Sequence, residues 1–247
     1  MSDARSRLIV ALDLPDRPQA LRAVETLAGH VGTFKVGLEL FVSEGPAIVS
    51  AIVERGERVF LDLKLHDIPN TVAGAVRSAC NLGVQMLTLH AAGGRSMLEA
   101  ALEAAHASPR PPLLLAVTAL TSLSGEQIRS MGVQESAEAW VERLAGIALQ
   151  SGVDGLVTSP LEVARLRAIA GPDVKLVTPG IRPAGSDAQD QARKAEPGQA
   201  ILAGADYLVV GRPILRAADP AEAASLIVAE IREALDLRGR NRLPGSR

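Results

Sequence analysis

Residues 62–71, Asp-Leu-Lys-Leu-His-Asp-Ile-Pro-Asn-Thr, set two carboxylates around a lysine within their first six positions. The apolar run Val59-Phe60-Leu61 leads into them and reads as a buried strand. Side chains two apart on a strand share a face, so Asp62 and Lys64 are expected to point the same way. Asp67 falls just past the strand end. Taking ions out of water costs several kcal/mol each, so an Asp–Lys pair on the inner face of a buried strand needs a reason. A structural ion pair capping the strand is one reason. The other is an active site that holds an amine between carboxylates, and the placing of the remaining charges favours it.

An alternation of elements must position those charges. Short β-rich runs recur at Leu8–Asp13, Phe34–Leu38, Val59–Lys64, Met86–His90, Leu113–Thr118, Gly155–Thr158, Lys175–Thr178 and Tyr207–Gly211. Most are continuously apolar, as suits a parallel sheet covered on both faces. Helical patterns occupy 17–29, 43–55, 71–82, 95–106, 137–151, 160–170, 197–203 and 220–235. Ser159-Pro160 and Asp219-Pro220 read as N-caps followed by proline at the first helical position. Gly29, Gly56, Gly83, Gly152 and Gly171 fall where helices end and a left-handed residue is wanted. The alternation predicts an α/β fold, a (β/α)8 TIM barrel forming a single catalytic domain over 1–236. Residues 237–247, with Arg238, Arg240, Arg242 and Arg247, read as a basic flexible tail. A doubly wound open sheet is the alternative, although no G-x-G-x-x-G follows the first strand.

Barrel enzymes work at the carboxyl ends of their strands, and here that rim collects the polar residues. Asp13, Lys35, Asp62, Lys64, His90, Thr121, Arg182 and Gly211-Arg212 all adjoin it, whereas the opposite ends read as plain turns. Lys35, Asp62, Lys64 and Asp67 alternate in sign and sum to zero, so each can have an opposite neighbour. Thr178-Pro179-Gly180-Ile181-Arg182-Pro183 and Val210-Gly211-Arg212-Pro213 combine loop N–H groups with two guanidinium forks, a phosphate-binding set. The polar stretch from Ala184 to Pro197 between them reads as a mobile lid. His66, in phase with Lys64, is expected to bond to backbone, with a general base as the alternative. His90 with Gly93-Gly94 reads as close packing at a strand–helix turn, with an anion nest as the alternative.

The chain has 247 residues, 47% apolar but only 2% aromatic, so its core must be aliphatic. A net charge of −2 gives no pull toward nucleic acid or an anionic membrane. The single cysteine, Cys80, suggests a reducing compartment. No apolar run approaches the ~20 residues that cross a bilayer, and no signal-peptide pattern opens the chain, so a cytoplasmic location is expected. There is no Cys/His cluster of metal-site spacing, and a divalent ion on Asp62 and Asp67 would compete with the adjacent lysines.

Val10-Ala11-Leu12-Asp13, Phe34-Lys35-Val36-Gly37, Asp62 through Thr71, Leu120-Thr121-Ser122, Thr178 through Pro183 and Gly211-Arg212-Pro213 occur together and in this order. In them the chain resembles the orotidine 5′-phosphate decarboxylase family, bacterial type, along almost its whole length. The resemblance implies decarboxylation of orotidine 5′-phosphate to UMP in pyrimidine synthesis, with no metal or organic cofactor, by a homodimer with shared active sites. Lys64 would donate the proton to C6 of the pyrimidine, Asp62 would lie against the departing carboxylate, and Lys35 and Asp13 would contact the ribose side. Asp67 and Thr71 would reach into the neighbouring subunit's site. Thr121 would touch the base, and Arg182, Gln191, Gly211 and Arg212 would hold the 5′-phosphate, Gln191 riding on the lid. A Mg²⁺-dependent sugar-phosphate decarboxylase or aldolase of the same superfamily shares D-x-K-x-x-D, and a non-catalytic UMP-binding barrel is the rival of another class.

Overall fold

Eight parallel strands close on themselves: β1 (Leu8–Ala11), β2 (Thr33–Gly37), β3 (Val59–Leu65), β4 (Met86–His90), β5 (Leu113–Val117), β6 (Gly155–Val157), β7 (Lys175–Thr178) and β8 (Tyr207–Val210). They come from a computed structural model that describes residues 4–183 and 195–242. Closure is direct, because β1 pairs with β8 through Leu8–Leu208, Ile9–Val209 and Val10–Val210. The expected (β/α)8 barrel is therefore present and the open-sheet alternative is excluded.

Alternation along each strand makes two cores. Ile9, Ala11, Phe60, Met86, Leu115 and Val209 fill the barrel interior. Their neighbours, among them Leu8, Val10, Leu61 and Leu87, face outward into the layer between strands and helices. Burying one such side chain contributes about 1.5–3 kcal/mol. The outer layer consists of α1 (Arg17–Leu27), α2 (Leu38–Glu44), α3 (Pro46–Val53), α4 (Pro69–Asn81), α5 (Gly94–His106), α6 (Gly125–Ser130), α7 (Ala137–Ser151), α8 (Val163–Ala170), α9 (Pro197–Ala203), α10 (Arg212–Leu215) and α11 (Pro220–Arg242).

Three helical expectations change. The helix expected at 43–55 begins only at Pro46, because Gly45 takes φ 63° ahead of it, and a separate helix, α2, occupies Leu38–Glu44. Ser159-Pro160 does not cap α8. The helix starts at Val163, and the Glu162 carboxylate instead accepts the Ser159 N–H at 3.1 Å. Asp219 does cap α11, accepting the Glu222 N–H at 2.9 Å. That helix runs on to Arg242, so residues 237–242 of the expected tail are helical. The Arg238 guanidinium anchors them by donating to the Ile201 and Ala205 carbonyls at 3.3 and 3.2 Å.

The amino-terminal end of the barrel is more than plain turns. Arg167, on α8, donates to the carbonyls of Gly171, Val174 and Gly204 and pairs with the Asp206 carboxylate. Asp206 also accepts the Leu176 N–H at 2.9 Å, so the pair ties α8 to β7 and to the entry of β8. Among the described residues no helix is long and apolar enough to cross a membrane. Arg7 also reaches the Asp206 carboxylate at 3.6 Å, so removing Arg167 takes away the nearer of two cations together with its bonds to three backbone carbonyls. Arg167→Ala is therefore expected to lower the free energy of unfolding by about 3 kcal/mol, measured by urea denaturation. The site at the opposite rim should be unaffected by this change.

Candidate active site

Toward the carboxyl ends of the first four strands the inner face turns from apolar to polar. Ala11, Lys35 and Phe60 lie side by side in register, and one step further Gly37 pairs with Asp62. On β4, Thr88 follows Met86 on the same face. Lys35 Nζ lies 3.3 Å from Asp13 Oδ1 and 3.5 Å from Asp62 Oδ2, and Lys64 Nζ lies 2.8 Å from Asp62 Oδ1. The result is a line of alternating charge, Asp13–Lys35–Asp62–Lys64. Gly37 leaves room for it: a Cβ at that position would sit 3.0 Å from Lys35 Nζ.

Asp62 is the buried centre of the line, its side chain 13% exposed against 56% for Asp13. Burial alone would raise its pKa. The charges of Lys35 and Lys64 and the hydrogen bonds from Lys64 and Thr88 outweigh burial and hold the carboxyl below its usual range.

Lys64 reaches Asp62 by a route that plain alternation does not predict. β3 and β4 pair at Leu61–Leu87 and again at Leu65–Leu89, so Asp62, Leu63 and Lys64 lie opposite Thr88 alone. In this bulge Lys64 takes φ 50°, the sole positive value for a non-glycine among the described residues. Left-handed backbone costs an ordinary residue about 1–2 kcal/mol. The Lys64 N–H donates to Thr88 Oγ1 at 2.9 Å, and the Thr88 hydroxyl donates to Asp62 Oδ1 at 2.9 Å.

The charged line forms one wall of a cavity of about 230 Å³ at the barrel mouth. Phe60, Val117, Val157, Val177 and Val209 are among its apolar lining, and Leu120 and Thr121 border it after β5. The lining continues with Gly180 and Arg182 after β7 and with Gly211, Arg212 and Pro213 after β8, where a Cβ on Gly211 would lie 3.6 Å from Asp13 Oδ2. An apolar floor, a line of alternating charge and two guanidinium groups suit a small molecule with an apolar body and an anionic substituent.

Most expected site residues thus meet in one cavity: Asp13, Lys35, Asp62, Lys64, Thr121, Arg182, Gly211 and Arg212. Asp67 and Thr71 do not line it; both are exposed, Asp67 just before α4 and Thr71 in its first turn. The Asp67 carboxylate accepts the Ile68 N–H at 2.6 Å. Gln191 and most of the expected lid lie outside the described residues. Sequence reasoning passed over Thr88, although a hydroxyl at an inner-face position of an apolar strand was a usable signal. It also passed over Gly37 as the space for Lys35.

His66 is not bonded to backbone as expected. Its ring is exposed and tilted against that of His90, centroids 5.4 Å apart. The close packing expected at Gly93 is present, since a Cβ there would collide with Met97.

The model of the Orotidine 5'-phosphate decarboxylase / HUMPS family matches residues 6–227. The chain belongs to this family. An orotidine 5'-phosphate decarboxylase of Moorella thermoacetica is 51% identical over 234 residues, 92% of this chain and 93% of its own. That of Hahella chejuensis is 52% identical over 225 residues, covering 91% and 97%. The crystal structure of orotidine 5'-phosphate decarboxylase from Lactobacillus acidophilus superposes with a TM-score of 0.82 at 39% identity, covering 91% of this chain and 98% of that one. In this member of the family the segments after β7 and β8 and the charged line of β1–β3 line a single cavity.

One titration follows from the geometry. Burial, then the nearby His66 and Lys64 charges, push His90 below its ordinary value of 6.5, with Asp62 opposing them. The fold favours the neutral ring. Its contribution to stability is complete above the ordinary imidazole range and is lost as pH falls through that range toward the lowered value. An NMR titration of the His90 ring should give a midpoint below 6.5; one at or above it would contradict the burial argument.

Proposed function

We propose that this chain catalyses the cofactor-independent decarboxylation of orotidine 5′-phosphate to UMP in pyrimidine biosynthesis, with Lys64 as the cation that stabilises and protonates the reacting carbon. The observation that carries this reading is the Lys64 ammonium held 2.8 Å from a buried carboxylate at the wall of the cavity. The names of the half-identical relatives support it.

In the reaction the bond from C6 to the carboxylate breaks and CO₂ departs, leaving its electron pair on C6, where the ring delocalises it poorly. A fixed cation answers that demand. Two unit charges about 4 Å apart interact by about 4 kcal/mol at an effective dielectric near 20. As charge moves from the carboxylate to C6, the attraction of Lys64 for C6 grows, and only such a differential interaction lowers the barrier. The Lys64 proton then passes to C6, giving the C–H bond of UMP, and solvent restores the ammonium. Arginine is poorly suited to this step because its pKa exceeds ~12. Asp62 aims the amine and, with Lys35 and Asp13, supplies the polar surface for the ribose side. Thr121 is placed to meet the base. Arg182, Gly211 and Arg212, together with Gln191, take the 5′-phosphate, whose binding energy orients the remote reacting carbon.

The working form in this reading is a cytoplasmic homodimer. Asp67 and Thr71 are exposed near Ile68, which is 66% exposed, and do not line their own cavity, as suits residues serving a partner's site. A Mg²⁺-dependent sugar-phosphate enzyme is the second reading, because it shares the D-x-K-x-x-D spacing found in β3.

Purified protein should consume orotidine 5′-phosphate, followed by its absorbance, at an unchanged rate in EDTA; dependence on Mg²⁺ would favour the second reading. Lys64→Ala should lose at least about a thousandfold in kcat, since about 4 kcal/mol is about three decades, with the far-UV circular dichroism intact. Arg212→Ala should lower kcat/KM about a hundredfold, the worth of a bidentate charge-assisted contact, with little change in Tm. A value within a few-fold of wild type would remove Arg212 from the phosphate site.

A further inference from the structure

The bulge in β3 leaves the Lys64 N–H without a strand partner at the point where the amine must be aimed. Thr88 Oγ1 lies 2.9 Å from that nitrogen and 2.9 Å from Asp62 Oδ1, the same oxygen that receives Lys64 Nζ at 2.8 Å. The direction of each bond is fixed by chemistry. A backbone N–H can only donate, so the hydroxyl accepts there and its own proton is left for the carboxylate. The contacts form a closed ring, from the Lys64 amide to Thr88, to Asp62, and back to the Lys64 side chain. Thr88 is fully buried and does not line the cavity, so it cannot touch the substrate.

We propose that Thr88 is a positioning residue for the reaction: its hydroxyl locks Lys64 in its left-handed conformation and orients the carboxylate that aims the Lys64 amine. This rests on the reading of Lys64 given above. Without the hydroxyl the Lys64 amide loses its buried acceptor and the carboxylate loses one of its donors. The backbone of the bulge is then free to relax toward ordinary strand geometry, which moves the amine off the line to C6. A displacement on the scale of 1 Å costs about a hundredfold in rate. In the proposed reading the largest share of binding comes from the phosphate contacts of Arg182 and Arg212, which Thr88 does not touch, so KM should change less than kcat.

Two substitutions separate this role from packing, because they make opposite predictions. Thr88→Val keeps the shape and removes the hydroxyl; Thr88→Ser keeps the hydroxyl and removes a methyl. The positioning role requires Thr88→Val to lower kcat by about 10–100-fold with KM nearly unchanged, and Thr88→Ser to stay close to wild type. A residue that only fills space would reverse that order. The pH profile gives a second readout. Asp62 must be ionised to hold Lys64, and Thr88 helps keep its pKa low. In Thr88→Val the acidic limb of kcat should move to higher pH, whereas a packing defect would leave it in place.

Steady-state kinetics of wild type, Thr88→Val and Thr88→Ser on orotidine 5′-phosphate across pH, with circular dichroism of each, test the proposal. Wild-type kcat in Thr88→Val, or losses as large in a folded Thr88→Ser, would overturn it while leaving the decarboxylase reading intact. Absence of turnover in wild type would overturn that reading and this proposal together. If Thr88→Val does not fold, the folded Thr88→Ser still decides, since the hydroxyl alone must then sustain kcat and the acidic limb.

Discussion

One buried carboxylate governs the rest of the site. Asp62 sits where β3 leaves the barrel wall, and an ion in that position is tolerated only when its lone pairs are met by charges and donors. Lys64 and Thr88 meet one oxygen and Lys35 the other. The same contacts that make Asp62 tolerable also fix both amines. Catalytic geometry and the electrostatic balance of the barrel mouth are therefore one problem with one solution. A network already oriented before the substrate arrives needs no reorganisation as charge develops on the substrate, which is where such a site gains over water.

The barrel separates two tasks around its rim. β1 to β4 carry the charged line and its support, and β7 and β8 lead into glycine- and arginine-bearing loops, with an apolar floor between them. Charge alone does not distinguish these elements from structural ones. At the other end of the barrel Arg167 and Asp206 are as buried as Asp62, their side chains each 13% exposed, yet they bond to carbonyls and an amide of their own surroundings. What separates the two clusters is geometric. The Asp62 cluster borders a cavity with a donor left facing it, whereas the Arg167 cluster spends its donors on the backbone.

Much of this was legible from residue types and spacing. Apolar strands alternating with capped helices implied the barrel, and the charges at strand carboxyl ends implied the cavity, because both follow from local rules of periodicity and placement. The failures are equally physical. Gly45-Pro46 delays the start of the helix expected from residue 43 because backbone geometry there overrides periodicity. Ser159-Pro160 has the composition of a cap, but the Glu162 N–H goes to the Ser159 carbonyl, and among the described residues the Ser159 hydroxyl accepts no bond. Arg238 reads as a solvated tail residue, yet finds carbonyls more than thirty positions away, a contact no local pattern encodes. Thr71 was linked to the site by family resemblance and Asp67 also by its spacing from Lys64, yet both stand outside this chain's own cavity, because the chain leaves the strand before Asp67.

The conformation of Lys64 shows why the last part was not legible. Lysine has no intrinsic preference for a left-handed backbone, and the apolar lead-in of β3 favours a regular strand. Such a conformation costs about 1–3 kcal/mol and persists only where its surroundings over-determine it. Here the surroundings are Asp62 two residues earlier and Thr88 on a neighbouring strand, and the Thr88 contact exists only once β3 and β4 have paired. Local preference and global structure disagree at this residue, and the disagreement is settled by tertiary hydrogen bonds. In a chain whose other levels agree, such a conflict marks the place where geometry is held for chemistry rather than for folding.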